Sequence, residues 1–245
     1  VQLLGTSAGV LPTWVAGHAG AALQFDGRST YAEAPSSDAL RIAGSLTVEA
    51  WVRWDGGSTA GTVLSKGRSD HRNYQLQVKT DGSVAFFWET SSGTNHGASG
   101  SRRLTRGTWQ HVAGVYDAVA GEDRLYIDGQ LDARTTDSGT PVTSTDPLEI
   151  GVKLSSSGKT EFFAGALDAI RVWRGARYPA DFVPDAAPAV TTVQFECRPY
   201  VAVSWSNPDP AQPLTYRVYR TANGGPRLRL ATDLAGTSFL DRAPV

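Results

Sequence analysis

The chain has 245 residues, with 23 Lys and Arg against 24 Asp and Glu, a formal net charge of −1. A near-neutral chain has no long-range pull on nucleic acid or anionic lipid, which excludes a general polyanion binder. No run of about 18 apolar residues occurs, so no membrane insertion is expected. The single Cys197 excludes an internal disulfide framework and a Cys-based zinc site, and is expected to be a small, half-buried hydrophobe. The 26 Gly and 13 Pro, with many Ser and Thr, point to an all-β chain of strands and turns. There is no Met, even at position 1, so a segment of a longer polypeptide is expected. The opening VQLLGTSAGV lacks the charged start and apolar core of a signal peptide.

Strand signals follow one another along the chain. Leu46, Val48, Ala50 and Val52 alternate with Thr47, Glu49, Trp51 and Arg53, which predicts a half-buried strand. Tyr74, Leu76 and Val78 alternate with Gln75 and Gln77 in the same way. Asp81-Gly82 separates that strand from another over 83–89, and Asp128-Gly129 separates 124–127 from 130–134. Asp-Gly between alternating runs predicts a tight hairpin with a type I′ turn. Residues 90–97 read as a polar loop. Further strands are expected at 109–117, 148–152 and 161–174, and no long 3.6-residue period occurs. Residues 178–187 are rich in Pro and Ala and read as a linker. Strands at 201–205, 214–220, 227–232 and 238–241 follow it.

Five segments, in order, carry a resemblance. GAALQFDG from Gly20, LTVEAWV from Leu46, GTWQHVAGVYD from Gly107, LYIDG from Leu125 and GALDAIRVW from Gly165 resemble the motifs of laminin G-like, concanavalin A-type jelly rolls. The block over 188–245, with Trp205 and the YRVYR run from Tyr216, is similar to a fibronectin type III domain with its last two strands missing. The expected architecture is therefore a concanavalin A-like jelly-roll sandwich over 1–177, a linker, and a smaller, incomplete fibronectin type III-like sandwich. An incomplete sandwich leaves an unpaired sheet edge, where a protein partner is expected.

The resemblance implies a structural calcium site at Asp26 and Asp168, since the first and last strands of a jelly roll are neighbours and calcium takes carboxylates with turn carbonyls. The alternative is that both carboxylates cap turns by accepting backbone N–H bonds. Trp51 and Trp88 are the candidate sugar-stacking rings, each weighed against ordinary packing. His71, Asn73, Asn95 and His96 are the polar side chains expected beside them, at one rim. Trp109 is expected in the core. The four His residues show no zinc spacing, and the acids show no run of the kind a glycosidase strand carries. The Arg clusters around positions 102, 171 and 217 read as solvated strand faces, with acidic-glycan recognition as the alternative. These features imply a non-catalytic, carbohydrate-binding module of a secreted or cell-surface protein, with a polysaccharide or glycan as partner. The competing expectation is an adhesive or structural protein-interaction module.

Overall fold

The computed structural model describes residues 1–6, 10–179 and 182, together with the backbone of four later strands. The chain forms two compact units, 1–182 and 183–245.

The first unit begins with β1 (Gln2–Gly5), β2 (Thr13–Ala16), β3 (Ala21–Asp26), β4 (Thr30–Ala34), β5 (Leu46–Trp54) and β6 (Gly61–Lys66). It continues with β7 (Tyr74–Val78), β8 (Ser83–Glu89), β9 (Asn95–Arg103), β10 (Trp109–Asp117) and β11 (Glu122–Ile127). It closes with β12 (Gln130–Thr136), β13 (Leu148–Ile150), β14 (Lys153–Ser155), β15 (Gly158–Thr160) and β16 (Ala164–Arg174). Two seven-stranded sheets result. The first has the order β1-β4-β13-β6-β7-β8-β9 and the second β12-β11-β10-β5-β16-β3-β2, with β14 and β15 pairing as a separate hairpin. All pairings are antiparallel. The expected all-β jelly-roll sandwich is the fold observed.

Alternation decides which residues enter the space between the sheets. Leu46, Val48, Ala50 and Val52 from β5 meet Tyr74, Leu76 and Val78 from β7 and Val84, Phe86 and Trp88 from β8 in one core. Burying side chains of this size stabilises the unit by roughly 1.5–3 kcal/mol each. Gly114 on β10 makes room for the Phe86 ring, which a Cβ there would approach to 2.4 Å.

The two Asp-Gly turns differ. Asp128 and Gly129 both have positive φ, as the I′ turn requires. At the other hairpin only Gly82 does; Lys79 N donates to Ser83 O across a three-residue loop, and the turn is not type I′. Residues 90–97 are only in part a loop, because β9 starts at Asn95 and pairs with β8 from Glu89 onward.

The first unit also extends beyond position 177. Tyr178 donates its hydroxyl to Asp117, and Phe182 packs with Ala113, Val115 and Tyr126 on the outer side of the second sheet. The aromatic rings of YPADF account for this: Phe182 covers an apolar patch of the second sheet, and Tyr178 lies under the Arg124 guanidinium. In the second unit, β17 (Val201–Ser204) pairs with β20 (Ser238–Asp241), and β18 (Tyr216–Arg220) with β19 (Leu228–Leu234). Cys197 and Trp205 lie outside the described residues.

Candidate functional site

The residues singled out in the sequence do not gather at one place. Trp88 is fully buried in the core, donates Nε1 to Asp123 Oδ1 at 2.8 Å, and stacks on His96 with ring centroids 4.2 Å apart. It offers no surface to a sugar. His96 points inward from β9 and bonds Asp137 through Nδ1. Asn73 is fully buried as well. Its amide donates to Ile42 O at 2.7 Å and accepts from Ile42 N at 3.1 Å, a clip that fixes the backbone before β5. Trp51 lies on the outer face of the second sheet, stacked at 3.4 Å on His18 and edge-on to His111. His111 is buried 3.2 Å from Glu49, and Trp109 is half-buried beneath Arg53 and outside the core. Only His71 and Asn95 remain open to solvent at one rim of the first sheet.

Asp26 and Asp168 do not converge. The register places Asp26 opposite Ala164, so Asp168 lies four residues further along β16, about 13 Å at the usual strand rise. Each caps a turn of its own. Asp26 accepts from the amides of Arg28, Ser29 and Thr30 and from the hydroxyls of Ser29 and Thr30. Asp168 accepts from Ala19 N at 3.1 Å and Ala169 N at 2.7 Å. The pair does not fit one calcium ion, and no cluster of three or more metal-ligating side chains occurs among the described residues. Burial disfavours the Asp26 charge, but the five donors outweigh it and hold the carboxyl far below the usual range. A depressed carboxyl stabilises above its unfolded value near 3.8 and loses that contribution as pH falls. Asp26→Ala is therefore expected to cost about 1–2 kcal/mol at pH 7, as loss of a cap does. The deficit should shrink in thermal melts taken toward pH 2, and a pH-independent gap would contradict the capping role.

A different constellation stands out on the outer face of the first sheet. On β7, Gln75 and Gln77 point away from Tyr74, Leu76 and Val78. On β8, Phe87 and Glu89 point away from Val84, Phe86 and Trp88. On β13, Glu149 sits between the core residues Leu148 and Ile150, and Ser65 on β6 is its register partner. Such a face is normally solvated, yet Thr62, Ser65, Gln75 and Glu149 have no exposure, and Glu89 has 1%. Side chains from outside the sheet close over them. Arg72 donates to Gln75 Oε1 at 2.9 Å and forms an ion pair with Glu89 at 2.5 Å. It also donates to Asn95 Oδ1 at 3.3 Å. Glu161 accepts from Gln75, Thr62 and Lys153. Lys159 bonds both Glu149 and Glu33 from the β14–β15 hairpin.

Two half-buried aromatic rings flank the band. Tyr31 lies beneath Lys159, with Nζ 4.7 Å from the ring centroid, and Phe87 lies beneath Arg72, at 5.7 Å. Three buried polar atoms along the band have no hydrogen-bond partner: Ser65 Oγ, Glu149 Oε2 and Arg72 Nε. Buried polar groups are normally satisfied, so these three atoms keep hydrogen-bonding capacity to spare. Burial raises the Glu149 carboxyl, with Lys159 opposing it. Gln75 and Gln77 were visible in the sequence as a polar alternation. Ser65, Arg72, Glu149 and Glu161 were not.

Two antiparallel sheets face to face, with a polar band outside one of them, define a lectin-type sandwich. The chain belongs to the concanavalin A-like lectin/glucanases superfamily of laminin G type, whose family model matches residues 26–181. Among solved structures it is similar to domain 4 of AbnA, an extracellular arabinanase of Geobacillus stearothermophilus in complex with arabinotriose. The identity is 21% over 74% of this chain and 84% of that one, with a TM-score of 0.58. It is also similar to the binding domain of botulinum neurotoxin DC in complex with SialylT, at 9% identity over 74% and 49% of the chains and a TM-score of 0.53. At these identities the likeness is one of fold. A comparison with curated proteins finds no match. No described helix is long and apolar enough to cross a membrane.

Proposed function

We propose that the first unit is a non-catalytic carbohydrate-binding module of an extracellular protein, and that it holds its glycan on the polar face of the first sheet. One observation carries this reading: planar amide, guanidinium and carboxylate groups are fixed in a band between two aromatic rings, with donors and acceptors left over. Sugars are recognised by such rings against their C–H faces and by such groups at their hydroxyls. Glu33, Glu89, Glu149 and Glu161 are each tied to a Lys or Arg, which favours binding over acid–base chemistry. The sugars in the two solved relatives are consistent with a glycan partner, but the reading rests on the side chains of this chain. The second unit is read as a fibronectin type III-like spacer.

The test is affinity electrophoresis of the full chain through gels containing plant and microbial polysaccharides. Retardation by at least one of them is expected. Phe87→Ala, which removes a half-buried ring outside the core, should weaken it about tenfold, equivalent to roughly 1.4 kcal/mol. No retardation by any polysaccharide sinks the reading.

The competing protein-interaction reading has its own support in β2. This strand ends the second sheet, carries no charged residue, and leaves Trp14 65% and nearby Leu11 52% exposed. An unpaired apolar edge is where another chain adds a strand. Self-association lost in Trp14→Lys, with no polysaccharide bound, would favour it.

A further inference from the structure

We infer that the glycan taken by this face is neutral, and that the charged band selects against acidic sugars. The inference rests on the carbohydrate-binding reading above and concerns the class of ligand. It follows from which charges on the face are already committed and which atoms are not.

Three cations lie within the band, each with a carboxylate, and Lys79 stands at its end, two residues beyond Gln77. Lys153 lies 2.9 Å from Glu161, Lys159 is paired with Glu149 and Glu33, and Arg72 with Glu89. Within the paired band, four carboxylates stand against three cations. An acidic sugar is recognised by an uncommitted Arg or Lys, ideally a guanidinium presenting two parallel N–H groups. Here both terminal nitrogens of Arg72 are occupied, Nη1 by Gln75 and Nη2 by Glu89 and Asn95. A carboxylate or sulfate arriving at the band would meet Glu149 and Glu161, with Arg72, Lys153 and Lys159 already paired.

The uncommitted atoms have the opposite character. Glu149 Oε2 belongs to a fully buried side chain and can only accept while the carboxyl is ionised. Ser65 Oγ, on the facing register position, also belongs to a fully buried side chain. Arg72 Nε is a single donor. On the half-exposed side, Gln77 Oε1 accepts from Gln75 Nε2 at 2.8 Å, which leaves the Gln77 NH₂ as a donor. A group that satisfies this set must donate a hydrogen bond to a carboxylate and accept one from an amide or guanidinium nearby. Hydroxyls do both and carboxylates do not. Tyr31 and Phe87 supply the surface for the C–H faces between those hydroxyls.

Isothermal titration of the full chain against arabinan, galactan and xylan, and against polygalacturonate and hyaluronan, separates the possibilities. We expect binding to at least one neutral polymer and none to the acidic ones. The affinity should change less than about twofold between 50 and 500 mM NaCl, because no net ion pair forms with the ligand. Glu149→Gln, which keeps the shape, and Gln77→Ala, at a half-exposed position, should each weaken binding about tenfold. Their melting curves check that both variants fold. Binding to an acidic polymer that falls with salt overturns the neutral class while leaving the glycan-binding reading intact. Neutral binding that neither variant weakens overturns the assignment of the class to this face. No binding to any polymer removes the reading on which the inference rests.

Discussion

Trp88→Ala is expected to be the most damaging single substitution in the first unit, costing about 3–5 kcal/mol, the range for emptying a large aromatic from a core. For a unit of this size that corresponds to a fall of roughly 6–20 °C in Tm. Trp88 is fully buried; its ring reaches across to Tyr116 on β10 of the second sheet, at 4.4 Å between centroids, and along its own sheet to His96 on β9, at 4.2 Å. Its Nε1 donates to the buried Asp123. Alanine therefore leaves a cavity and also strips a donor from a carboxyl that has no water to turn to. Trp88→Phe keeps most of the volume and should lose only the part due to Nε1, about 1–3 kcal/mol. Trp51→Ala is the contrast. That ring is half-buried on the outer face, and His18 covers it. If thermal melts rank Trp51→Ala as the worse of the two, the placement of Trp88 between the sheets is wrong.

Sequence alone sets Trp88 with Trp51 as a candidate sugar-stacking ring, although a signal for the core is there. Trp88 falls in step with Val84 and Phe86, and the alternation alone sends it to the core. Its nearness to a polar stretch pointed the other way, and that stretch is largely strand. Asn95-His-Gly-Ala-Ser-Gly-Ser-Arg-Arg has almost no β-branched or large apolar residue, so local preference does not announce β9. Pairing with β8 makes it a strand. The strands β5, β7, β8 and β10 were readable because their inward residues are large and regularly spaced.

The polar face could be read only in part, for a reason of distance. Gln75 and Gln77 look like any solvated strand side. The burial of Gln75 depends on Glu161, 86 positions away, and on a hairpin with no apolar pattern of its own. Glu149 and Glu161 stood alone in the sequence because their partners lie on other strands. Similarly, the shared motifs brought Asp26 and Asp168 onto neighbouring strands, but the register separates them, and register is set by the whole sheet.

Asp123→Asn is expected to stabilise the protein at alkaline pH and leave it little changed near pH 4. Burial pushes the Asp123 carboxyl up to about 8, and the neighbouring Asp137 carboxyl adds to the shift. The groups around the pair are Asp137, His96, which bonds Asp137, the Trp88 indole, and Tyr116, whose hydroxyl donates to Gly139 O. Among the described residues no cation pairs with Asp123, so two carboxyls in contact are best held by one shared proton. The unfolded chain gives up that proton near 3.8, whereas the folded chain keeps it up to about 8. A raised carboxyl contributes fully below the unfolded value, and its contribution is lost as pH rises through the folded value. Asparagine supplies the missing donor permanently: Oδ1 accepts from Trp88 and Nδ2 donates to Asp137. Asp137 is held below its ordinary value, with His96 among the causes, and stays ionised. In melts from pH 4 to 9, the advantage of the variant should therefore grow with pH and level off above about 8. A variant whose curve runs parallel to that of the parent would show that the two carboxyls do not share a proton.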